Sequence, residues 1–389
     1  MHTCWLRLVS LPCDRDDACR GPCRGYFREL LSCCRSKYKE LSAESILQDH
    51  HECQANIRMR ASAAPVLAYV TPWNSKGYEV AERLSAKFTH VSPVWLQLRW
   101  DAAATAFSVT GQHDIDTGWM ARIAQSNGTL RAKIVPRVIF ELDQAGLREL
   151  LLKPKAAANL LLNICVKYGF DGLVVETWAQ WAGSGLLMHP SFRKQAITAL
   201  RQLADLLHTP KARPPLELIL AVPPFVAANQ GPELSSTDFQ ELRVFMDFFS
   251  LMTYDASSPA QSGPNAPWKW VKSNVQAVMS HGSDREGRKP EQVLLGLNFY
   301  GNDYVLPSGG RALLGYGYTE LLKQYNPTLI WDKRTKEHVF VYDKDGMHHE
   351  VYYPSLESLQ HRLDLAKKYG LGISIWEIGQ GLDFFYDLL

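Results

Sequence analysis

From Val66 onward the chain repeats one pattern, a short apolar run of strand length followed by a longer stretch of helical periodicity. The runs are Val66–Trp73, Thr89–Leu98, Lys133–Phe140, Phe170–Trp178, Leu216–Val222, Phe248–Tyr254, Val293–Tyr300 and Leu371–Ile378. Helical stretches are expected at Tyr78–Lys87, Thr117–Ala124, Ala145–Tyr168, Phe192–Leu207, Thr237–Phe245, Trp268–Met279 and Leu356–Tyr369. Eight strands alternating with helices predict a closed parallel barrel of the α/β class, the (β/α)8 or TIM barrel. A chain of 389 residues accommodates one such barrel with additions.

Two regions fall outside the rhythm. Residues 302–353 alternate in the manner of antiparallel strands, with Asp345-Gly346 as a hairpin signal, and predict a small antiparallel or α+β insertion after the seventh strand. Residues 1–64 are rich in Cys, Arg and Ser and show no strand pattern, so a poorly ordered extension is expected before a barrel spanning 65–389. Seven cysteines lie in the first 53 residues at spacings that fit no zinc site, and no metal or cofactor is expected. With 42 Lys+Arg against 40 Asp+Glu there is no basic bias, which argues against nucleic acid as a partner. No apolar stretch reaches the roughly 18 residues of a membrane span. The apolar patch Trp5–Leu11 is soon followed by Asp14, Arg15, Asp16 and Asp17 and makes a poor signal-peptide core.

In a barrel of this kind ligands bind at the carboxyl ends of the strands, and here those ends are aromatic. Tyr69 and Trp73 close the first run, Trp95 the second, Trp178 the fourth, Met252, Tyr254 and Asp255 the sixth, Asn298 and Tyr300 the seventh, and Trp376 the eighth. Aromatic faces with a few fixed carboxylates and amides suit a sugar, which offers C–H faces and hydroxyl edges. Several of these residues, Met252 and Trp95 first, also read as ordinary barrel packing. In the fourth run, period-two alternation would put Val174, Glu176 and Trp178 on one face. Glu176 is then either the floor of a ligand pocket or a core carboxylate paired with a basic residue.

FDGLVVETW, LMTYD, LLGLNFYG and GISIWEIGQG, on the fourth, sixth, seventh and eighth strands, resemble the family 18 glycoside hydrolases, the chitinases. Within that family AYVTPWN at Ala68–Asn74, SPVWLQL at Ser92–Leu98 and SGPNAP at Ser262–Pro267 are similar to the subgroup of chitinase domain-containing, stabilin-interacting chitinase-like proteins. The family's catalytic strand reads D-G-x-D-x-D-x-E, with the last Glu as general acid and the substrate acetamide as nucleophile. Here Asp171 and Gly172 match, the middle positions are Val174 and Glu176, and the acid position is Trp178.

An indole N–H has no useful acidity, and Glu176 lies two residues earlier, about 6.6 Å deeper along a strand. The resemblance therefore implies a chitinase-like lectin that binds chito-oligosaccharide or another amino sugar without hydrolysis. Trp376 would stack under a ring, Tyr254 and Asp255 would bind its polar edges, Glu176 would accept from a hydroxyl or amine, and Trp178, Trp73 and Tyr69 would wall the cleft. Alternatives are a weak glycoside hydrolase with Glu176 as a displaced acid, and a receptor-binding scaffold with a vestigial sugar cleft. By the same resemblance a membrane sorting receptor of the stabilin type is an expected partner, and the protein is expected to be secreted or to reside in the endosomal or lysosomal lumen.

Overall fold

The computed structural model describes residues 41–51, 53, 56–125, 131–209, 215–225, 234–280, 289–306 and 308–389. Along the chain the strands are β1 (Val66–Val70), β2 (His90–Pro93), β3 (Leu96–Asp101), β4 (Ala106–Thr110), β5 (Lys133–Ile134), β6 (Arg137–Phe140), β7 (Gly172–Glu176), β8 (Glu217–Val222), β9 (Phe248–Leu251) and β10 (Val293–Asn298). They are followed by β11 (Gly301–Leu306), β12 (Gly309–Leu313), β13 (Ile330–Asp332), β14 (Glu337–Lys344), β15 (Met347–Tyr353) and β16 (Gly372–Trp376). No helix among the described residues is long and apolar enough to cross a membrane.

The main sheet runs β4-β3-β6-β7-β8-β9-β10-β16-β1-β2-β5. Its ends meet through the chain itself, because β2 leads into β3 and β5 into β6, so the sheet closes as a (β/α)8 barrel. The second and third barrel strands are thus each broken once, at Val94-Trp95 and at Val135-Pro136. Pro136 has no N–H to give a neighbour, yet its carbonyl still accepts from Val174 N at 3.0 Å, so the break loosens the ladder without opening it. Inside the barrel Leu67, Tyr69, Val94, Val135, Val174, Ile219, Ala221 and Leu294 form one buried cluster.

The expected helix over Ala145–Tyr168 is two helices, Gln144–Leu152 and Pro154–Tyr168. Lys153 leaves the helical region at φ −132° and Pro154 starts the next helix where its missing N–H does no harm. The β3–β4 hairpin, which the apolar pattern did not announce, extends the second strand beyond the barrel. β11 to β15 form a separate antiparallel sheet in the order β12-β11-β15-β14-β13, the insertion after the seventh barrel strand. Its β14–β15 turn has positive φ at both Asp345 and Gly346, as a two-residue hairpin loop requires. Helix Gly315–Tyr325 covers one face of this sheet, with Tyr318 stacked on Tyr353 at 4.0 Å.

Ser42–Leu389 make one compact unit, so the fold begins well before residue 65. Helix Ala43–Asp49 is fixed by a Ser42 capping box and buries Ala43 and Ile46, and the His50 carbonyl accepts from Asp383 N. The rest of the expected extension, residues 1–40, lies outside the described residues.

The first two matches to the family motif are structural. Asp171 accepts from Ile134 N at 2.8 Å and pairs with Arg131, both at the amino-terminal end of the barrel. A Cβ on Gly172 would stand 2.2 Å from the Glu217 carbonyl oxygen and 2.7 Å from its nitrogen, so only glycine lets β7 and β8 approach here. Gly172→Ala is expected to cost about 3 kcal/mol in urea unfolding, while Gly183→Ala, with no atom within 4 Å of the new methyl, is expected to be neutral or slightly stabilising.

A second prediction concerns Glu377, a fully buried carboxyl that links β16 to helix Ser75–Arg83 by accepting from Asn74 Nδ2 and Gly379 N. Burial pushes it up from 4.5 to about 7, against the pull of those donors. Between these values the folded state holds a proton that the unfolded chain has released. The stability this proton brings is therefore full below pH 4.5 and is lost as pH rises through about 7. Glu377→Gln should flatten the stability–pH curve over that window by about 3 kcal/mol relative to the unmodified protein, read by chemical denaturation across the range.

Candidate functional site

At the carboxyl end of the barrel the interior changes from aliphatic to polar and aromatic. Glu176 closes β7 on the same face as the buried Val174, and its neighbours across the ladder are Ile139 on β6 and Ala221 on β8. Its carboxylate meets the Arg137 guanidinium at 3.3 Å, with 11% of the Arg137 side chain and 24% of the Glu176 side chain exposed. Arg137 Nε and Nη1 are buried and make no hydrogen bond within the described residues. Tyr69 stands beside this pair, donates its hydroxyl to Ser250 Oγ at 2.9 Å, and through it continues to Ser374. Desolvation, reinforced by Glu176, pushes the Tyr69 phenol well up from 10. Trp376, partly exposed, packs against the buried cluster with its ring 5.4 Å from that of Tyr69.

The second wall comes from the ends of β9 and β10. A Cβ on Gly296 would lie 2.2 Å from the Leu251 carbonyl and 3.0 Å from the Tyr254 ring, so that glycine is what lets Tyr254 settle against β10. Tyr254 and Tyr300 meet edge-on at 6.4 Å. Tyr300 donates its hydroxyl to Asp255 Oδ1 at 2.5 Å. Burial pushes the Asp255 carboxyl up, and the Tyr300 bond opposes this. Asp255 holds φ +60°, a left-handed conformation that costs a residue with a side chain, so its placement is imposed by its surroundings. The Asn298 amide is occupied in donating to the Tyr300 carbonyl at 2.8 Å, which makes it a brace for Tyr300.

Tyr69, Glu176, Tyr254, Asp255, Asn298, Tyr300 and Trp376 are thus brought to the barrel mouth. Trp73 stands on its rim at 71% exposure, and Met252 is partly exposed beside Tyr254. Two expected sugar-binding residues lie elsewhere. Trp95 is fully buried in the layer between barrel and helices, where its Nε1 donates to Tyr78 and its ring packs on Trp119. Trp178 is also fully buried, because the strand stops at Glu176. Thr177 turns to ψ −31° and Trp178 opens helix Trp178–Gly183, packing on Trp181 at 6.4 Å. Strand alternation therefore does not carry from Glu176 to Trp178.

Arg137 is the site residue that the strand-end rule missed. It is the one charge inside the run Ile134–Phe140, and the reasoning that singled out Glu176 on the next strand applies to it unchanged. Glu377 escapes the site in the opposite way. Next to Trp376 in sequence, it turns behind the rim to Asn74 while the indole faces the barrel.

Residues 151–381 match the family described as Glycosyl hydrolases family 18. The chain is 24% identical over 336 residues to a cortical fragment-lytic enzyme of Bacillus anthracis, covering 82% of this chain and 72% of that protein. Among solved structures, a chitinase from Chromobacterium violaceum superposes with a TM-score of 0.69 at 23% identity, over 84% of this chain and 98% of that one. A plant class V chitinase mutant from Cycas revoluta, in complex with (GlcNAc)3, gives a TM-score of 0.65 at 15% identity, over 83% and 98%. With the family match spanning more than half of its length, and with this barrel, the chain belongs to the family 18 glycosyl hydrolases.

Proposed function

We propose that the barrel mouth binds an amino-sugar oligosaccharide of the chito-oligosaccharide class without hydrolysing it, as the lectin-like, stabilin-interacting subgroup of the family does. The observation that carries this reading is Trp178 at 0% exposure in the position where the family places its acid. No proton donor for a glycosidic oxygen stands there. Glu176 does not replace it, being held in an ion pair with Arg137. What remains suits retention of a sugar: the Trp376 ring for stacking, and Asp255, Tyr300 and Glu176 for its polar edges. The Cycas revoluta complex with (GlcNAc)3 lends the ligand class its support. On the subgroup resemblance we propose that the protein is secreted or resides in the endosomal or lysosomal lumen, with a membrane sorting receptor of the stabilin type as partner.

Tryptophan fluorescence titration with chito-oligosaccharides, run beside a chromogenic turnover assay, tests the reading. Saturable quenching without turnover is expected, with affinity reduced about tenfold in Glu176→Gln, the loss of one hydrogen bond to a charged acceptor. Turnover by the unmodified protein that Glu176→Gln abolishes would make Glu176 the acid and the protein a hydrolase, like its lytic relatives. Neither quenching nor turnover would leave the receptor-binding scaffold.

A further inference from the structure

The Asp255 loop is held by a buried ion pair that lies away from the barrel mouth. Glu337 opens β14 in the insertion, and Arg362 lies on helix Leu356–Tyr369 of the barrel. They are 5% and 3% exposed, and Arg362 Nη2 meets Glu337 Oε1 at 3.0 Å. The other lone pairs of Glu337 accept from backbone, Ala266 N at 2.9 Å and Asn265 N at 3.2 Å. Arg362 in turn donates to the carbonyls of Ala266, Lys336 and Ser358. Asn265, itself 1% exposed, uses its Oδ1 to accept from Asp255 N at 2.6 Å, and its carbonyl accepts from Ala256 N at 2.9 Å.

The contacts run in one direction. Glu337 fixes the backbone of Asn265, Asn265 fixes the amide of Asp255, and Asp255 sits in a left-handed conformation that it would leave if released. In that conformation its carboxylate reaches the Tyr300 hydroxyl at the barrel mouth. We infer that Glu337, paired with Arg362, is a positioning residue for the sugar site, acting through Asn265 on Asp255. The inference rests on the reading of the mouth as a saccharide site. It adds that the insertion and the last barrel helix set the geometry of that site without touching the ligand.

The test uses Glu337→Gln, which keeps an acceptor oxygen but removes the charge opposite Arg362. Two readouts are needed. Amide exchange at Asp255, followed by NMR or mass spectrometry, should accelerate about tenfold in the folded variant, as expected for loss of one ordinary hydrogen bond. Chito-oligosaccharide affinity should fall about tenfold, and that loss should vanish in an Asp255→Asn background, because both changes act on one residue. A role confined to stability would lower the melting temperature while leaving Asp255 exchange unchanged, or would weaken binding equally in both backgrounds, and either result overturns the inference. Where Glu337→Gln does not fold, Asn265→Ala leaves the ion pair intact and is put through the same affinity cycle, with the same outcomes. Faster Asp255 exchange in a protein that binds no sugar would uphold the positioning and overturn the saccharide reading.

Discussion

The inside of an eight-stranded barrel has to be filled by the side chains that point into it, and much of this molecule follows from how that filling is done. Toward the amino ends of the strands the filling is apolar, with Leu67, Val135, Val174, Ile219 and Leu294 in contact. One step higher it becomes Arg137, Glu176 and Tyr69. A charge pair there is tolerated because each member limits the desolvation cost of the other, and because the pair lies where the barrel opens to water. The same step turns a packed core into a floor on which a ligand can rest. Fold and site are not separate layers of this barrel, since Tyr69 and Trp376 serve both at once.

The outer support follows a similar physical logic. A fully buried carboxylate facing a guanidinium is costly unless the remaining lone pairs and N–H groups are also used. Around Glu337 and Arg362 the backbone of the loop carrying Asn265 and Ala266 supplies those partners. Satisfying the pair and shaping the loop are thus the same act. A hydrophobic contact between insertion and barrel would hold the two together but would leave the loop several conformations.

The eight barrel strands, the insertion and its Asp345-Gly346 turn were legible in the sequence, because apolar periodicity and turn chemistry report local structure directly, whereas the β3–β4 hairpin and the break at Lys153-Pro154 were not. The barrel mouth was legible in outline, because ligands gather at strand ends in this fold. What a sequence pattern does not contain is the absolute direction of a face. Alternation says that residues two apart point the same way. It does not say that Trp95 points out to Trp119 while Tyr69 points in to Ser250. Nor does it say where alternation ends, and one change of ψ at Thr177 removes Trp178 from the face of Glu176. Arg137 lay hidden for a different reason, since a rule that inspects only the last residue of a strand passes over a charge that opens β6, three residues before its end. The Glu337–Arg362 pair joins residues 25 apart in sequence to a loop 71 and 72 residues from Glu337, a distance at which no local pattern speaks.

Closure of the barrel also has a cost in time. β1 is hydrogen-bonded on one side to β2 and on the other to β16, with Val66 beside Ile373. On a ribosome adding 5–20 residues per second, roughly 15–60 s separate the emergence of these two neighbours. Throughout that interval β1 presents a row of unpaired N–H and C=O groups, and the lumen residues Leu67 and Tyr69 lack their eventual roof. An incomplete barrel of this kind is an adhesive sheet edge, open to another nascent chain. A cell making this protein therefore meets its greatest aggregation hazard before the last strand is synthesised, and a chaperone that shields the first strand during that wait would matter more than one acting on the finished chain.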